Sequence, residues 1–336
     1  MTGARLSSGV TAMDDFDLEL RAGTLDDAEI VADLEAARNP EDPRDPMMLR
    51  HWWTAGRPPD EVHMELVAER EGAAVAFLGA GHDPWDTIPK RFGWLRPLVH
   101  PKHWSLARFG QLIDAGESWL REEQGAIAVA HLRESFHDEL RIFEDRGYRE
   151  VRRSKVSELD LVAGREHLLA SAGRSREQMK KQGVRLMTLD QDDDPDRMRK
   201  LYELSNAAEQ DIPTTVPLRP APYDEWHRFW FENPGITPDR YWIARKGDEI
   251  VGLSVIGFPP KRGLPWTFFT ATARSVRGQG VARALKYETV AQAISLGAQR
   301  IRTNNDGANA PILHLNTEMG YRPIDPVIEL HRELGT

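Results

Sequence analysis

The chain has 336 residues, which at about 150 residues per domain implies about two domains, and 44 Lys+Arg against 53 Asp+Glu give it a net charge of −9. That balance argues against nonspecific binding to nucleic acid or anionic membrane and suits a small cationic or amine-bearing substrate. No run of about 18 apolar residues is present, the first residues show no apolar signal-peptide core, and the lack of cysteine removes disulfides, thiolate metal sites and a Cys nucleophile; a cytoplasmic protein without membrane contact is expected.

Residues 1–16 read as a disordered lead, and residues 18–22 alternate like a short strand. Thr24 caps a helix whose first turn carries Asp26, Asp27 and Glu29, where the helix dipole favours acids, and Pro40, Pro43 and Pro46 end it. Residues 64–70 and 73–81 form a hairpin around Glu71-Gly72, and 92–99 a third strand. A helix over 106–124, a strand over 125–130, a helix over 137–146 ended by Gly147-Tyr148 and a strand over 155–161 complete the first half. The polar, basic stretch 164–183 reads as a linker.

The same order then returns. Strand 184–189 and helices 196–210 and 223–231 precede a hairpin of 241–246 and 250–258 around Gly247-Asp248. Strand 266–273, a long helix 280–297, strand 300–303, a helix 309–319 ended by Gly320-Tyr321, and strand 327–332 follow. Two copies of one α/β unit, 17–163 and 184–336, account for this order.

The sharpest local signal is Arg277-Gly278-Gln279-Gly280-Val281-Ala282, between a strand-rich run and a long helix. Small residues there let successive backbone N–H groups converge on an anion, and the helix N-terminus adds its dipole. A plain structural turn is the competing reading. The Lys-Ser/Thr of a P-loop and the third glycine of a dinucleotide fingerprint are both missing.

With these residues the sequence resembles the GNAT superfamily of acyl-CoA-dependent N-acyltransferases. Its Arg/Gln-x-x-Gly-x-Gly/Ala motif is matched by Arg277, Gly280 and Ala282, and Asn305, Asn309 and Asn316 match a downstream segment found in tandem GNAT proteins of actinobacteria. The layout is similar to that of mycothiol synthases. The first half resembles a degenerate GNAT unit, with Val99-His100-Pro101 followed by Trp104, Ser105, Ala107 and Phe109 where a cradle belongs, the bulky Trp104 and Phe109 being expected to block a pyrophosphate. The resemblance implies an α/β (α+β) fold of two tandem units, each a mixed, mostly antiparallel sheet flanked by helices. It implies acetyl-CoA as acyl donor and no metal. CoA would be held by Arg277, Gly278, Gln279, Gly280, Val281, Ala282, Asn305 and Asn309, with the backbone of the Thr270–Thr272 stretch polarising the thioester. The family's strand-four carboxylate has no counterpart in 264–273, and Asn316 stands where many members carry a Tyr acid.

Asp211, just after a helix that overhangs the acylation site in such folds, is either a partner of the substrate ammonium or a solvated helix-end acid. Glu209 ends the same helix; Tyr202 and Tyr223 either line the pocket or pack in the core, and His227 and His314 are read as packed or surface residues. His100 and His103 lack further ligands for a metal. Trp52, Trp53 and Trp94 belong to the core or to the contact between units. The function implied is N-acetylation of a small-molecule amine in specialised metabolism, by direct attack in a ternary complex. A CoA-binding sensor without catalysis and a mycothiol synthase-like aminosugar acetyltransferase are the alternatives. A monomer or homodimer is expected, without nucleic acid.

Overall fold

A computed structural model describes residues 18–87 and 90–335; the lead expected over 1–16 lies outside them. The first half runs β1 (Arg21–Ala22), α1 (Ala28–Arg38), α2 (Pro46–Trp52), β2 (Val62–Arg70), β3 (Ala73–His82), β4 (Phe92–Val99), α3 (Leu106–Glu122), β5 (Ile127–Arg133), α4 (His137–Asp145) and β6 (Arg149–Asp160). The second runs α5 (Arg165–Lys181), β7 (Val184–Thr188), α6 (Arg197–Glu209), α7 (Tyr223–Phe231), β8 (Tyr241–Lys246), β9 (Glu249–Gly257), β10 (Trp266–Thr272), α8 (Val281–Ser295), β11 (Arg300–Asp306), α9 (Ala310–Met319), β12 (Arg322–Pro323) and β13 (Val327–Glu333). The expected fold class holds: the sheet is mixed and mostly antiparallel, with helices on both faces.

Each half buries two apolar layers. On β3, Ala76, Leu78 and Ala80 pack with Leu112, Ile113 and Leu120 of α3 and Phe143 of α4. Phe77, one step out of phase, meets Val31 and Leu34 of α1 and Leu49 of α2 on the other face, as the two-residue period of a strand requires. In the second half, Trp226 and Trp230 of α7 and Leu201 and Leu204 of α6 cover Ile243, Leu253 and Ala271, while α8 and α9 cover the opposite face through Val290, Ile294, Leu315 and Met319.

The halves do not close separately. Strand order is β1-β2-β3-β4-β5-β13-β6-β11-β10-β9-β8-β7, with β12 pairing β6. The last strand of the second half, β13, lies between β5 and β6 of the first. In turn β6 runs on past β13 to pair with β11 over Ser154–Asp160. Each unit thus completes the other's sheet, and the boundary between 17–163 and 184–336 is crossed by both closing strands.

Three local expectations are revised. The stretch 164–183 is a helix, α5, whose Leu168 and Ala172 pack against Tyr287 and Val290 of α8; Arg176 holds the buried Glu288 with two bonds of 2.9 and 2.6 Å. Pro46 starts a helix instead of ending one, because Asp45 accepts from the N–H groups of Met47 and Met48 and proline suits the first helical position. β6 begins at Arg149, six residues before the expected strand, since its polar first half pairs with β13.

Lys286 on α8 is 1% exposed, with its Nζ 5.0 Å from the centre of the Tyr321 ring. Burial pushes its pKa down from 10.5 to about 7. Between those values the unfolded chain binds a proton that the folded chain does not, so stability rises with pH from about 7 towards 10. Lys286→Met is expected to be more stable at pH 7, on the order of a few kcal/mol, and to lose that rise. Urea unfolding at pH 7 and 9 measures both; an unchanged pH dependence would contradict the assignment.

Candidate active site

β10 and β11 run parallel but pair only at Trp266↔Arg302 and Thr267↔Thr303. Beyond Thr267 they part, opening a V between the ends of the two strands. At the same point the register of β10 on β9 slips between Thr267 and Phe269, a bulge that leaves one residue, Phe268, out of the ladder. Thr270 and Thr272, expected at the thioester, stay paired with Ser254 and Gly252, and the Thr270 hydroxyl lies 2.8 Å from that of Ser254.

The chain leaves β10 through a short turn into Arg277-Gly278-Gln279-Gly280. Gly278 and Gly280 both hold positive φ, 75° and 87°, a conformation that only glycine adopts freely. Gly280 caps α8 without a side chain. The N–H groups of Gly280, Val281 and Ala282 donate to no described residue. They form an open row of donors at a helix N-terminus, the arrangement that binds phosphate.

The first half repeats the V without the cradle. β4 and β5 pair from Phe92↔Ile127 to Leu95↔Ala130 and then part. The following turn is shorter: Trp104 leads directly to Ser105, whose Oγ caps α3 by accepting from the Arg108 N–H at 3.2 Å. Arg108 also donates to the His103 carbonyl at 2.8 Å. Phe109, expected to obstruct a ligand, points into the core and is fully buried. The turn has no glycine, Ser105 takes one N–H of the helix start, and half-buried Trp104 packs against the core beside it.

The other expected residues fall as follows. Asp211 lies against the cradle: its carboxylate bridges Arg274 and the cradle's own Arg277, each at 2.5 Å, and hydrogen bonds from the two guanidiniums hold its pKa far below the carboxylate range. Removing this competing anion favours a phosphate ligand, so Asp211→Asn is expected to tighten CoA binding several-fold; weaker binding in a calorimetric titration would show that Asp211 orients the arginines instead. Asn316, on α9 and 2% exposed, donates to the Asn305 Oδ1 at 2.8 Å, and its own Oδ1 has no partner among the described residues. Asn309 caps α9. Asn316→Ala is expected to lower activity by roughly 2–12-fold, the worth of one neutral hydrogen bond; a loss of four orders of magnitude in steady-state turnover would assign it a larger role.

Glu209, in the last turn of α6, has its pKa raised by burial, with the Ser205 hydroxyl 3.3 Å away. This is the environment that Asp211 lacks. The Tyr202 hydroxyl donates to the Ala221 carbonyl at 2.9 Å, tying down the loop between α6 and α7. The loop's Thr215 donates to Glu329 of β13, and Arg152 of β6 reaches Asp306 at the end of β11 at 2.5 Å. The seam strands therefore stand beside the V. His227 packs between Tyr223 and Phe231, and His314 is exposed beside Glu318. Gly320 and Gly147 each turn the chain at φ 92° before a buried tyrosine, Tyr321 and Tyr148. No group of three or more ligating side chains that could hold a metal occurs among the described residues.

Residues 198–321 match the model of the Acetyltransferase (GNAT) family. The parting strands, the bulge and the open cradle all fall within or beside this segment, which is similar to the GNAT acetyltransferases. Over its length the fold is similar to a GCN5-related N-acetyltransferase from Sphaerobacter thermophilus (20% identity, 94% of this chain and 96% of that one, TM-score 0.66). It is also similar to a tandem GNAT protein from the clavulanic acid biosynthesis pathway (15%, 95% and 99%, TM-score 0.72), and to the N-myristoyltransferase of Saccharomyces cerevisiae (11%, 95% and 79%, TM-score 0.60). No curated protein matches the sequence. The family match supports N-acyltransferase activity in general, and the tandem relative supports the two-unit layout.

Proposed function

We propose that the second unit transfers an acetyl group from acetyl-CoA to the amine of a small molecule, while the first unit binds no CoA. The observation that carries this reading is the contrast between the two helix N-termini. Gly278 and Gly280 open the start of α8 at positive φ with no side-chain cap, whereas the turn before α3 has no glycine and its Ser105 accepts from the Arg108 N–H. Arg277 and the N–H groups of Gly280, Val281 and Ala282 would hold the pyrophosphate, and Asn305 and Asn316 would lie along the pantetheine arm. Acetyl-CoA would supply an activated thioester. The N–H left out of the ladder at the Phe268 bulge would donate to the developing oxyanion, an interaction worth most in a water-poor site. Glu209, its proton affinity raised by burial, would take the proton from the attacking amine.

Loop 210–222 and the seam strands β6 and β13 would wall the acceptor, so the first unit shapes the pocket without doing the chemistry. Residues 17–163 and 184–336 would be the two units, joined through 164–183, in a cytoplasmic monomer or homodimer. No helix among the described residues is long and apolar enough to cross a membrane. Calorimetry with CoA, followed by thiol release from acetyl-CoA across a panel of aminosugars and amino acids, tests the proposal. One CoA per chain with turnover of an amine supports it, and two equivalents contradict it. CoA binding without turnover of any amine would favour the sensor reading, which the missing β10 acid and the Asn at position 316 also favour.

A further inference from the structure

A cavity lies in the first unit, on the α1 and α2 face of its sheet. It measures about 200 Å³ and is lined by Leu49, Trp52, Trp53, Trp94 and the charged Arg57, Glu61 and Arg96 among others. Arg96 is the first residue of β4 beyond the last β4–β5 pair, the place that Phe268 holds in β10. The cavity therefore reaches, through Arg96, the point where β4 leaves β5.

Its floor is an indole laid flat on the sheet. A Cβ at Gly81 would stand 2.6 Å from the Trp94 ring, and one at Gly79 3.3 Å, so two glycines within β3 exist to admit that ring. Trp53 is held in place by stacking on Phe77, with centroids 5.6 Å apart, and Trp52 by the Arg44 guanidinium 4.6 Å above its ring. The aromatic surface is thus fixed in advance of any ligand.

The charges around it are unevenly matched. On one wall the single guanidinium of Arg57 serves two carboxylates, Glu61 at 3.2 Å and Glu65 at 2.5 Å. The nearby Asp60 is turned to Arg219. On the other wall the single carboxylate of Glu35 serves two guanidiniums, Arg44 at 3.0 Å and Arg96. Among the described residues, one wall carries more carboxylates than guanidiniums, with His63 3.8 Å from Glu65, and the other more guanidiniums than carboxylates. Burial, with Asp83, Glu65 and Asp60 adding to it against the pull of Arg57, pushes the Glu61 carboxyl up to about 7, as expected of a carboxyl short of a positive partner.

We propose that this cavity binds a small zwitterion of amino-acid size, its ammonium on Glu61, its carboxylate on Arg96 and its apolar part on the indoles. Each end then meets the charge that is in excess on its wall, and indole faces favour the ammonium further. With no cradle beside it, this site binds its ligand without acylating it.

The test uses the full chain and three probes sharing one isobutyl side chain: L-leucine, 3-methylbutylamine and 4-methylpentanoate, followed by calorimetry and tryptophan fluorescence. Leucine is expected to bind and to change the emission, and each singly charged probe to bind at least roughly tenfold more weakly, the loss of one charge-assisted contact. Glu61→Gln should abolish the preference for leucine over 4-methylpentanoate, leaving 4-methylpentanoate binding intact. Gly280→Trp, which alters only the second unit's cradle, should leave leucine binding unchanged. Absence of leucine binding, equal affinity for all three probes, or loss of leucine binding in Gly280→Trp but not in Glu61→Gln would each overturn the proposal.

Discussion

Residues 184–336 expressed alone are expected not to fold. In the full chain β11 pairs with β6 along its whole length, from Arg300↔Asp160 to Asp306↔Ser154, and β13 lies between β5 and β6. Cutting after 183 strips β11 of one neighbour and β13 of both, leaving an open strand edge beside the V and a terminal strand with no sheet to join. Exposed edges of this kind pair with other chains. The fragment should therefore aggregate, or show no dispersed amide spectrum, whereas co-expression of residues 1–183 with residues 184–336 should restore a soluble complex. A folded, monomeric 184–336 with the full chain's CoA affinity would mean that the exchanged strands are dispensable.

Gly280→Trp is expected to remove CoA binding while keeping the fold. A non-glycine residue at φ 87° costs about 1–2 kcal/mol, and the nearest atoms to a Cβ there, on Gln178 and Met179, are 3.7 Å away. The backbone can therefore carry the change, but an indole would stand over the N–H groups of Val281 and Ala282. A calorimetric titration with CoA should fall by at least roughly a hundredfold in affinity, about 2.7 kcal/mol, with only a modest drop in thermal midpoint. Unaltered affinity would place the phosphates elsewhere.

The cradle was legible in the sequence because its physics is local: glycines at fixed spacing before a helix need no distant partner to be recognised. The absence of glycines before α3 was legible too, although the course of that turn was not. Trp104 and Phe109 suggested obstruction, while the structure shows a shorter turn and a serine cap. Helix α2 carried a readable signal, Asp45 before Pro46, obscured by the neighbouring prolines. In α5, Leu168, Ala172 and Met179 are spaced to share one buried side, but the polar remainder made the segment read as a connector.

The strand exchange was not legible. Nothing in the period of β6 says whether Arg152 will meet a strand of its own half or Glu329 and Asp306 from the far end of the chain. The direction of Asp211 was hidden for the same reason, since its partners Arg274 and Arg277 lie more than sixty residues away.

The interlocked seam also sets a timetable for synthesis. β5 and β6 are complete by Asp160, but the strand between them ends at Glu333. At about 5–20 residues per second on the ribosome, the first unit must wait roughly ten to thirty seconds with its sheet ending at β5 and with β6 unpaired. Its aromatic cavity and its helical layers can form in that interval, but the seam cannot. During that time β5 has one unpaired edge and β6 has two, so slowing elongation should promote aggregation of this protein instead of aiding it, the reverse of what is expected where each domain closes before the next begins.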